Sequence, residues 1–172
     1  IVVSMGALSL TLWLRPEVSA PPTAKPPALV SGHASASVAA TQAPPSRGRV
    51  ASLIQDGLAA ARNGEIEAAA TAFRKASDMD PGDAEAWTNL GVVLIRSGEE
   101  ARGVEAFRRA LRAVPGYPEA HRNLAVALDR QGRGTEAARH YRAFLAGSAA
   151  DNPDRAAILA RLEAMSAGRA AE

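Results

Sequence analysis

The chain has 172 residues, of which 47% are apolar but only 4% aromatic, a composition that favours packing of helix against helix. Its 20 lysines and arginines against 18 acids give a net charge of +2, too small an excess to predict binding of nucleic acid. The sequence has no cysteine, which excludes disulfides, thiolate catalysis and cysteine metal sites.

Residues 1–15 are a hydrophobic segment with an apolar run of 14 residues. A bilayer-spanning helix needs about 20, but Ile1 is not a methionine, and residues upstream would supply the shortfall. Trp13 followed by Arg15 is typical of the interfacial end of a membrane helix. We therefore predict a membrane anchor. A signal peptide cleaved after Val18–Ala20, or an apolar end that packs on the domain, are the alternatives.

Residues 16–49 form a linker that holds seven of the 11 prolines and is otherwise mostly alanine, serine, threonine and glycine. Such a segment cannot bury enough apolar surface to offset its ordering entropy, so we predict that it is disordered. As a tether it would span roughly 30 Å when coiled and up to roughly 100 Å when extended.

From residue 50 the sequence becomes helical in its periodicity and then repeats itself with a step of 34 residues. The most telling columns are three glycines and three aromatic residues. They are Gly64, Gly98 and Gly132, and Phe73, Phe107 and Tyr141; further pairs are Ala76 and Ala110, Pro81 and Pro115, Asn89 and Asn123, and Leu90 and Leu124. Several columns with one period predict a tandem array of helix pairs.

Each column has a physical reason. The three glycines suit left-handed C-caps at the ends of helices, and the arginine before each suits the negative end of the helix dipole. Asp83 is predicted to cap the amino terminus of the next helix, and Pro118 fits a first helical turn. Small residues such as Gly91 and Ala125 allow close approach of a partner helix, beside the large aromatic residues.

These residues resemble the tetratricopeptide repeat (TPR) family. The second repeat carries the motif in order, as Trp87, Leu90, Gly91, Leu94, Gly98, Phe107, Ala110 and Pro115. The resemblance implies an all-α fold, a right-handed superhelix of helix pairs, with repeats at 50–83, 84–117 and 118–151. The chain departs from the family at Gly103, usually alanine, at His121, usually large and apolar, and at Asp56, usually leucine.

Residues 152–172 are predicted to form a capping helix and tail. Asn152-Pro153 reads as a helix start, and an apolar stripe follows at helical spacing, with charged residues assigned to the outer face. The stripe is Ile158, Leu159, Leu162 and Met165, and the predicted outer face is Asp154, Arg155, Arg161 and Glu163. Covering the last helix pair is the expected role; binding a partner is the alternative.

The resemblance also implies where a ligand binds, because in this family the first helix of each pair lines the concave face. Three columns then form the predicted peptide-binding groove: Gln55, Asn89 and Asn123; Leu58, Val92 and Val126; and Arg62, Arg96 and Arg130. A side-chain amide can pair with both polar groups of an extended backbone. The amide column resembles the asparagine ladder of O-linked N-acetylglucosamine transferases. The alternative is that the amides are solvated or join helices, and that the arginines serve only the helix dipole.

A clamp for carboxylate termini, known in other TPR domains, is not predicted. Its lysine positions fall on Ile54 and Glu119, its first asparagine on Leu58 and its arginine on Asn123. Only Asn89 matches that pattern.

No catalytic residue, metal site, cofactor or small-molecule substrate is predicted. The histidines, His33, His121 and His140, lack ligand neighbours at useful spacing, and no acidic pair or phosphate-binding loop is apparent. We predict a non-enzymatic adaptor that binds an extended protein segment, tethered to a bacterial membrane. The side of the membrane stays open, with the periplasm slightly favoured. The alternatives are a structural subunit of an envelope, secretion or pilus assembly, and a fragment of a longer enzyme.

Overall fold

A computed structural model describes residues 45–170, which form seven helices and no strand. The helices are α1 (Pro45–Arg62), α2 (Ile66–Met79), α3 (Ala84–Arg96), α4 (Glu100–Ala113), α5 (Pro118–Arg130), α6 (Gly134–Gly147) and α7 (Arg155–Ala170). The first six pair as α1 with α2, α3 with α4 and α5 with α6, and successive pairs stack into a solenoid. The predicted all-α array of helix pairs is confirmed.

The amino-terminal boundary differs from the prediction. Helix α1 begins at Pro45, inside the segment 16–49 that was predicted to be linker, which agrees with the tolerance of proline in a first helical turn. The predicted anchor and the rest of the predicted linker lie outside the described residues. None of the described helices is both long and apolar enough to cross a bilayer.

A glycine ends the first helix of each pair, as predicted. Gly64, Gly98 and Gly132 have φ angles of +83°, +86° and +74°, which glycine adopts without steric cost. The amide of the residue after each glycine donates to a carbonyl in the last helical turn, for example Glu99 N to Leu94 O at 2.8 Å. These bonds satisfy helix-end carbonyls and turn the chain into the second helix.

The middle pair is held by contact between two glycines and one phenylalanine. A methyl group on Gly91 would lie 2.5 Å from the Phe107 ring and 3.0 Å from the Gly103 carbonyl oxygen. A methyl group on Gly103 would lie 2.8 Å from the Gly91 carbonyl oxygen and 2.7 Å from Ile95. Glycine at position 103, where the family usually has alanine, therefore brings α4 especially close to α3.

Helix α7 covers the third pair, but its charged face is turned toward the array. Ile158 is buried, as predicted for a capping helix. However, Arg161 donates to both carboxylate oxygens of Asp129 on α5, each at 2.7 Å. Asp154 pairs with Arg122 at 2.9 Å, and Arg155 donates to backbone carbonyls at the end of α6. The predicted outer face is thus wrong for three of its four residues.

These ion pairs allow a test of how α7 is attached. Replacing Asp129 with alanine leaves the mostly buried Arg161 guanidinium without its carboxylate. We expect a loss of about 2–3 kcal/mol in the free energy of unfolding, with faster amide hydrogen exchange in α7 than in α3. Glu105→Ala is the control, because its pairs with Arg109 and Arg112 are exposed and should contribute less than about 1 kcal/mol. Equal losses in the two variants would contradict this account.

Candidate functional site

Each first helix presents a stripe of four residues on the side that faces away from its second helix. Asn89 precedes Gly91 by two residues, about 200° around the helix. Because Gly91 faces Phe107 on α4, Asn89 faces the opposite side. We call the three stripes together the inner wall: Ala51, Gln55, Leu58 and Arg62 on α1; Glu85, Asn89, Val92 and Arg96 on α3; and Glu119, Asn123, Val126 and Arg130 on α5.

The structure places the predicted columns side by side on this wall, but with unequal exposure. The arginines Arg62, Arg96 and Arg130 are exposed, and so is Gln55. The apolar column Leu58, Val92 and Val126 is buried. Asn89 and Asn123 are 0% and 1% exposed, and each takes part in at least one noncovalent interaction. Of the three amides, Gln55 alone is exposed.

A buried arginine, which the sequence did not single out, fixes the orientation of Asn123. Arg122 is 4% exposed and donates from Nη1 to the Asn123 side-chain oxygen at 3.0 Å. Its Nε lies 2.9 Å from a carboxylate oxygen of Asp154. The equivalent residues one and two repeats earlier are Thr88 and Ile54, so the periodic pattern gave no signal of this ion pair.

The wall carries opposite charges along its two edges. Glu85 and Glu119 lie in the first turns of their helices, and the arginine column lies in the last turns. Eleven residues of helix separate the two edges by about 16 Å. The partly buried phenol of Tyr117 lies near the acidic edge, and burial together with the nearby Glu119 and Glu85 raises its pKa. These charges also suit the helix dipoles, so dipole stabilisation and ligand binding are compatible roles.

A cleft opens where the acidic edge meets the amino-terminal half of α1. It has a volume of about 290 Å³. Its apolar lining is Val50, Ala51 and Ile54, and its polar lining is Arg47, Gln55, Asp80, Asp83 and Glu85. Asp83 caps α3, as predicted, by accepting from the Ala86 amide at 2.8 Å. A side chain with an apolar stem and a cationic head would match this lining.

Two further grooves lie on the outer side, between successive second helices. The groove between α2 and α4 has a volume of about 380 Å³ over Trp87, Leu90 and Leu94. The groove between α4 and α6 has about 290 Å³ over Leu124 and Leu128, the equivalent leucines. They recur with the repeat and offer a second surface.

His121 and His140 form a pair across α5 and α6 that the sequence did not reveal. Their Nδ1 atoms lie 2.9 Å apart, and His121 Nε2 lies 2.9 Å from the Pro115 carbonyl oxygen. One repeat earlier, Trp87 Nε1 donates to the Pro81 carbonyl at 3.0 Å. Because a carbonyl only accepts, His121 carries its proton on Nε2, and His140 donates from Nδ1 when both rings are neutral. His121 thus reproduces the hydrogen bond of the tryptophan it replaces.

The histidine pair should make stability depend on pH. Burial and the nearby His121 lower the pKa of His140 from its ordinary 6.5, with Glu136 opposing and Arg108 reinforcing the shift. Below about pH 6.5 the unfolded chain therefore binds more protons at this site than the folded chain does. The free energy of unfolding decreases as the pH is lowered. We expect urea unfolding between pH 7 and 5 to show a smaller loss in His140→Gln than in the unsubstituted chain. An identical loss in both proteins would contradict the assignment.

Metal binding by the pair has no support from its surroundings. Among residues 45–170, no group of three or more histidine, aspartate or glutamate side chains is placed to hold a metal ion.

The model of one protein family, described as tetratricopeptide repeat, matches residues 55–118 and again 94–154. No curated protein sequence matches the chain.

Solved structures share the fold at low sequence identity. The first TPR of Spaghetti (RPAP3) bound to the HSP90 peptide SRMEEVD has a TM-score of 0.64 and 20% identity, over 72% of this chain and 97% of that one. The Yersinia enterocolitica type III secretion chaperone SycD, in complex with a peptide of the translocator YopD, has a TM-score of 0.64 and 17% identity, over 70% of this chain and 94% of that one. A Thermobaculum terrenum O-GlcNAc transferase has a TM-score of 0.62 and 20% identity, over 70% of this chain but only 23% of that one.

Proposed function

This chain belongs to the tetratricopeptide repeat family, and we propose that it is a non-catalytic adaptor that binds an extended segment of a partner polypeptide along the inner wall. The observation that carries the proposal is the register of the three first helices. It gives an amide, an aliphatic side chain and an arginine the same helical position in every repeat, and the arginine is exposed in all three. A ligand that crosses the helices would therefore meet an arginine at each step.

The dimensions of the wall suit an extended backbone. Helices α3 and α5 pack against each other, and packed helices lie 8–10 Å apart. An extended chain advances about 3.3 Å per residue, so roughly three residues cross from α3 to α5. Gln55 is exposed and would pair with the backbone of the ligand directly, whereas the buried Asn89 and Asn123 would first have to become exposed.

Binding energy must come from more than the amides. Each hydrogen bond contributes only about 1 kcal/mol, so three amides alone reach roughly millimolar affinity at best. The aliphatic column and the exposed arginines must supply the rest. Glu119 stands where the carboxylate clamp has a lysine, so an acidic carboxyl terminus such as that of the HSP90 peptide is not the expected ligand.

Two of the solved structures similar to this chain contain bound peptides, which supports peptide binding as the role of this array. We further propose that the hydrophobic segment 1–15 tethers the array to a bacterial membrane, with the periplasm slightly favoured.

The arginine column allows a controlled test. Full-length protein would be used to select linear peptides from a phage-displayed library, and the selected peptides would be titrated against two triple variants. The first replaces Arg62, Arg96 and Arg130 on the wall with alanine. The control replaces Arg74, Arg108 and Arg142, which are also exposed, recur every 34 residues and lie on the second helices.

We expect the wall variant to weaken peptide binding at least tenfold and the control to change it less than twofold. Both triple variants should retain their helical circular dichroism, because all six side chains are exposed. Loss of binding in the control alone would contradict the proposal.

A second function, that of a structural subunit, is favoured by the outer grooves and by Leu159, which is 48% exposed on α7. Sedimentation analysis distinguishes a structural subunit from an adaptor. A self-assembling array would dissociate on Leu159→Asp, whereas an adaptor would keep the same mass.

A further inference from the structure

The third helix pair differs from the second at two positions between its helices. His121 on α5 stands where the second repeat has Trp87, and His140 on α6 stands where it has Ala106. The centroids of the two imidazole rings lie 5.2 Å apart. A large aromatic ring and a small alanine are thus replaced by two groups that each gain a proton near neutral pH.

The hydrogen bonds of the pair limit how many protons it can hold. His121 donates from Nε2 to the Pro115 carbonyl oxygen at 2.9 Å, so its Nδ1 accepts from Nδ1 of His140 at 2.9 Å. One added proton can bind to Nε2 of His140 and leave both hydrogen bonds in place. A second added proton has to bind to Nδ1 of His121, which then faces another N–H donor at hydrogen-bond distance. The contact between α5 and α6 is therefore incompatible with two added protons.

The groups that line the groove beside His140 do not offset a second proton. Arg108 and Arg112 on α4 line this groove and oppose further positive charge. Glu136 on α6 lines it as well, but both of its carboxylate oxygens accept from Arg133, at 2.8 and 2.7 Å. The surroundings of the pair therefore favour its neutral form.

Carboxylates on the helices that pack around α5 and α6 are placed elsewhere. Because Glu119 precedes His121 by two residues, it lies about 200° around α5 from the pair. Some of these carboxylates lie on the inner wall and others pair with arginines: Glu85 and Glu119 on the wall, Asp129 with Arg161, and Asp154 with Arg122. None of these four is placed to compensate a doubly protonated pair.

We propose that the His121–His140 pair is an acid-sensitive switch, which joins α5 to α6 at neutral pH and separates their facing turns in acid, and that partner binding weakens as it opens. His121 lies near the start of α5, two residues before Asn123 of the inner wall. The Asp129–Arg161 ion pair holds the other end of α5, so the separation is largest beside Asn123. This inference rests on the proposed function, because it assigns a regulation to the same wall.

The expected size of the effect follows from proton linkage. A histidine outside the contact has a pKa of about 6.5. For each proton that only the open form binds, the equilibrium constant for opening therefore rises about 25-fold between pH 7 and pH 5. Apparent peptide affinity falls in proportion to the fraction of chains that remain closed.

Amide hydrogen exchange of the full chain at pH 7 and pH 5 tests the switch itself. The variant His121→Trp with His140→Ala gives the third pair the residues of the second and removes both titratable rings. Its control is His33→Ala, which removes the histidine that is not part of the pair. Circular dichroism verifies that each variant is folded.

We expect the protection of α5 amides, corrected for intrinsic exchange rates, to fall at least tenfold more than that of α1 amides between pH 7 and pH 5. The control should behave in the same way, whereas α5 and α1 of the double variant should change by the same factor within twofold. His140→Asn is a second, milder variant, because an amide donates to neutral His121 and accepts from its protonated form. A difference between α5 and α1 that persists in the folded variants would overturn the inference, as would its absence from the unsubstituted chain.

Peptide binding at the same two pH values tests the regulation. A phage-selected peptide without histidine, aspartate or glutamate should bind the unsubstituted chain at least fivefold more weakly at pH 5 than at pH 7. Its affinity for the double variant should change less than twofold. Equal pH dependence in both proteins would overturn the regulation. If the triple variant of Arg62, Arg96 and Arg130 binds the peptide normally at pH 7, the proposed function fails instead, and hydrogen exchange still decides whether the pair is a switch.

Discussion

Replacing Phe107 with alanine is expected to lower the free energy of unfolding by about 3–5 kcal/mol. Phe107 is fully buried, and its ring fills the space left by Gly91 on the facing helix. Removing the ring leaves a cavity that close-packed helices cannot fill. A domain of this size has about 5–15 kcal/mol of stability in total, so the variant should be largely or partly unfolded at 37 °C.

Urea unfolding followed by circular dichroism measures this loss. Leu159→Ala serves as the control, because it also truncates a large apolar side chain but at a position that is 48% exposed. It should cost less than about 1 kcal/mol. A Phe107→Ala protein as stable as the Leu159→Ala protein would show that the packing of the middle pair is not as described.

The second large effect is expected from a single added methyl group, in Gly91→Ala. The new Cβ would lie 2.5 Å from Phe107, on a helix whose position is also limited by the Gly103 carbonyl oxygen at 3.0 Å. Forcing the two helices apart should cost about 2–3 kcal/mol, which outweighs the gain of up to about 1 kcal/mol in helix propensity.

Gly48→Ala provides a matched control, because it is also a substitution of glycine by alanine within a helix. Gly48 is in α1 and has no heavy atom within 4 Å of an added Cβ, so alanine should be neutral or stabilising there. A midpoint of urea unfolding that rises for Gly48→Ala and falls for Gly91→Ala is the expected outcome. A rise for both would mean that α3 and α4 are farther apart than the structure has them.

Features that depend on one helix and its nearest neighbour could be predicted from the sequence. Gly64, Gly98 and Gly132 end helices because a left-handed residue is needed wherever the chain reverses. Phe73, Phe107 and Tyr141 are buried because the 34-residue step repeats the same helix contact. Asp83 caps α3 because the capping geometry is local.

Features that depend on distant partners could not be predicted. Asp129 and Arg161 are 32 residues apart in the sequence, and Arg161 was assigned to solvent because a helical pattern shows direction but not what packs there. The histidine pair was missed for the same reason. The burial of Asn89 and Asn123 could not be predicted because helical phase shows on which side of a helix a residue lies, whereas its exposure depends on how the neighbouring helices pack.

Binding along the inner wall can be tested by nuclear magnetic resonance of the side-chain amides during titration with a phage-selected peptide. We expect the NH₂ signals of Gln55, Asn89 and Asn123 to shift. Those of Asn63 and Gln131, which lie off the wall, should stay in place. Shifts of the Trp87 indole and other outer-groove signals, with the three wall amides unchanged, would contradict binding along the inner wall.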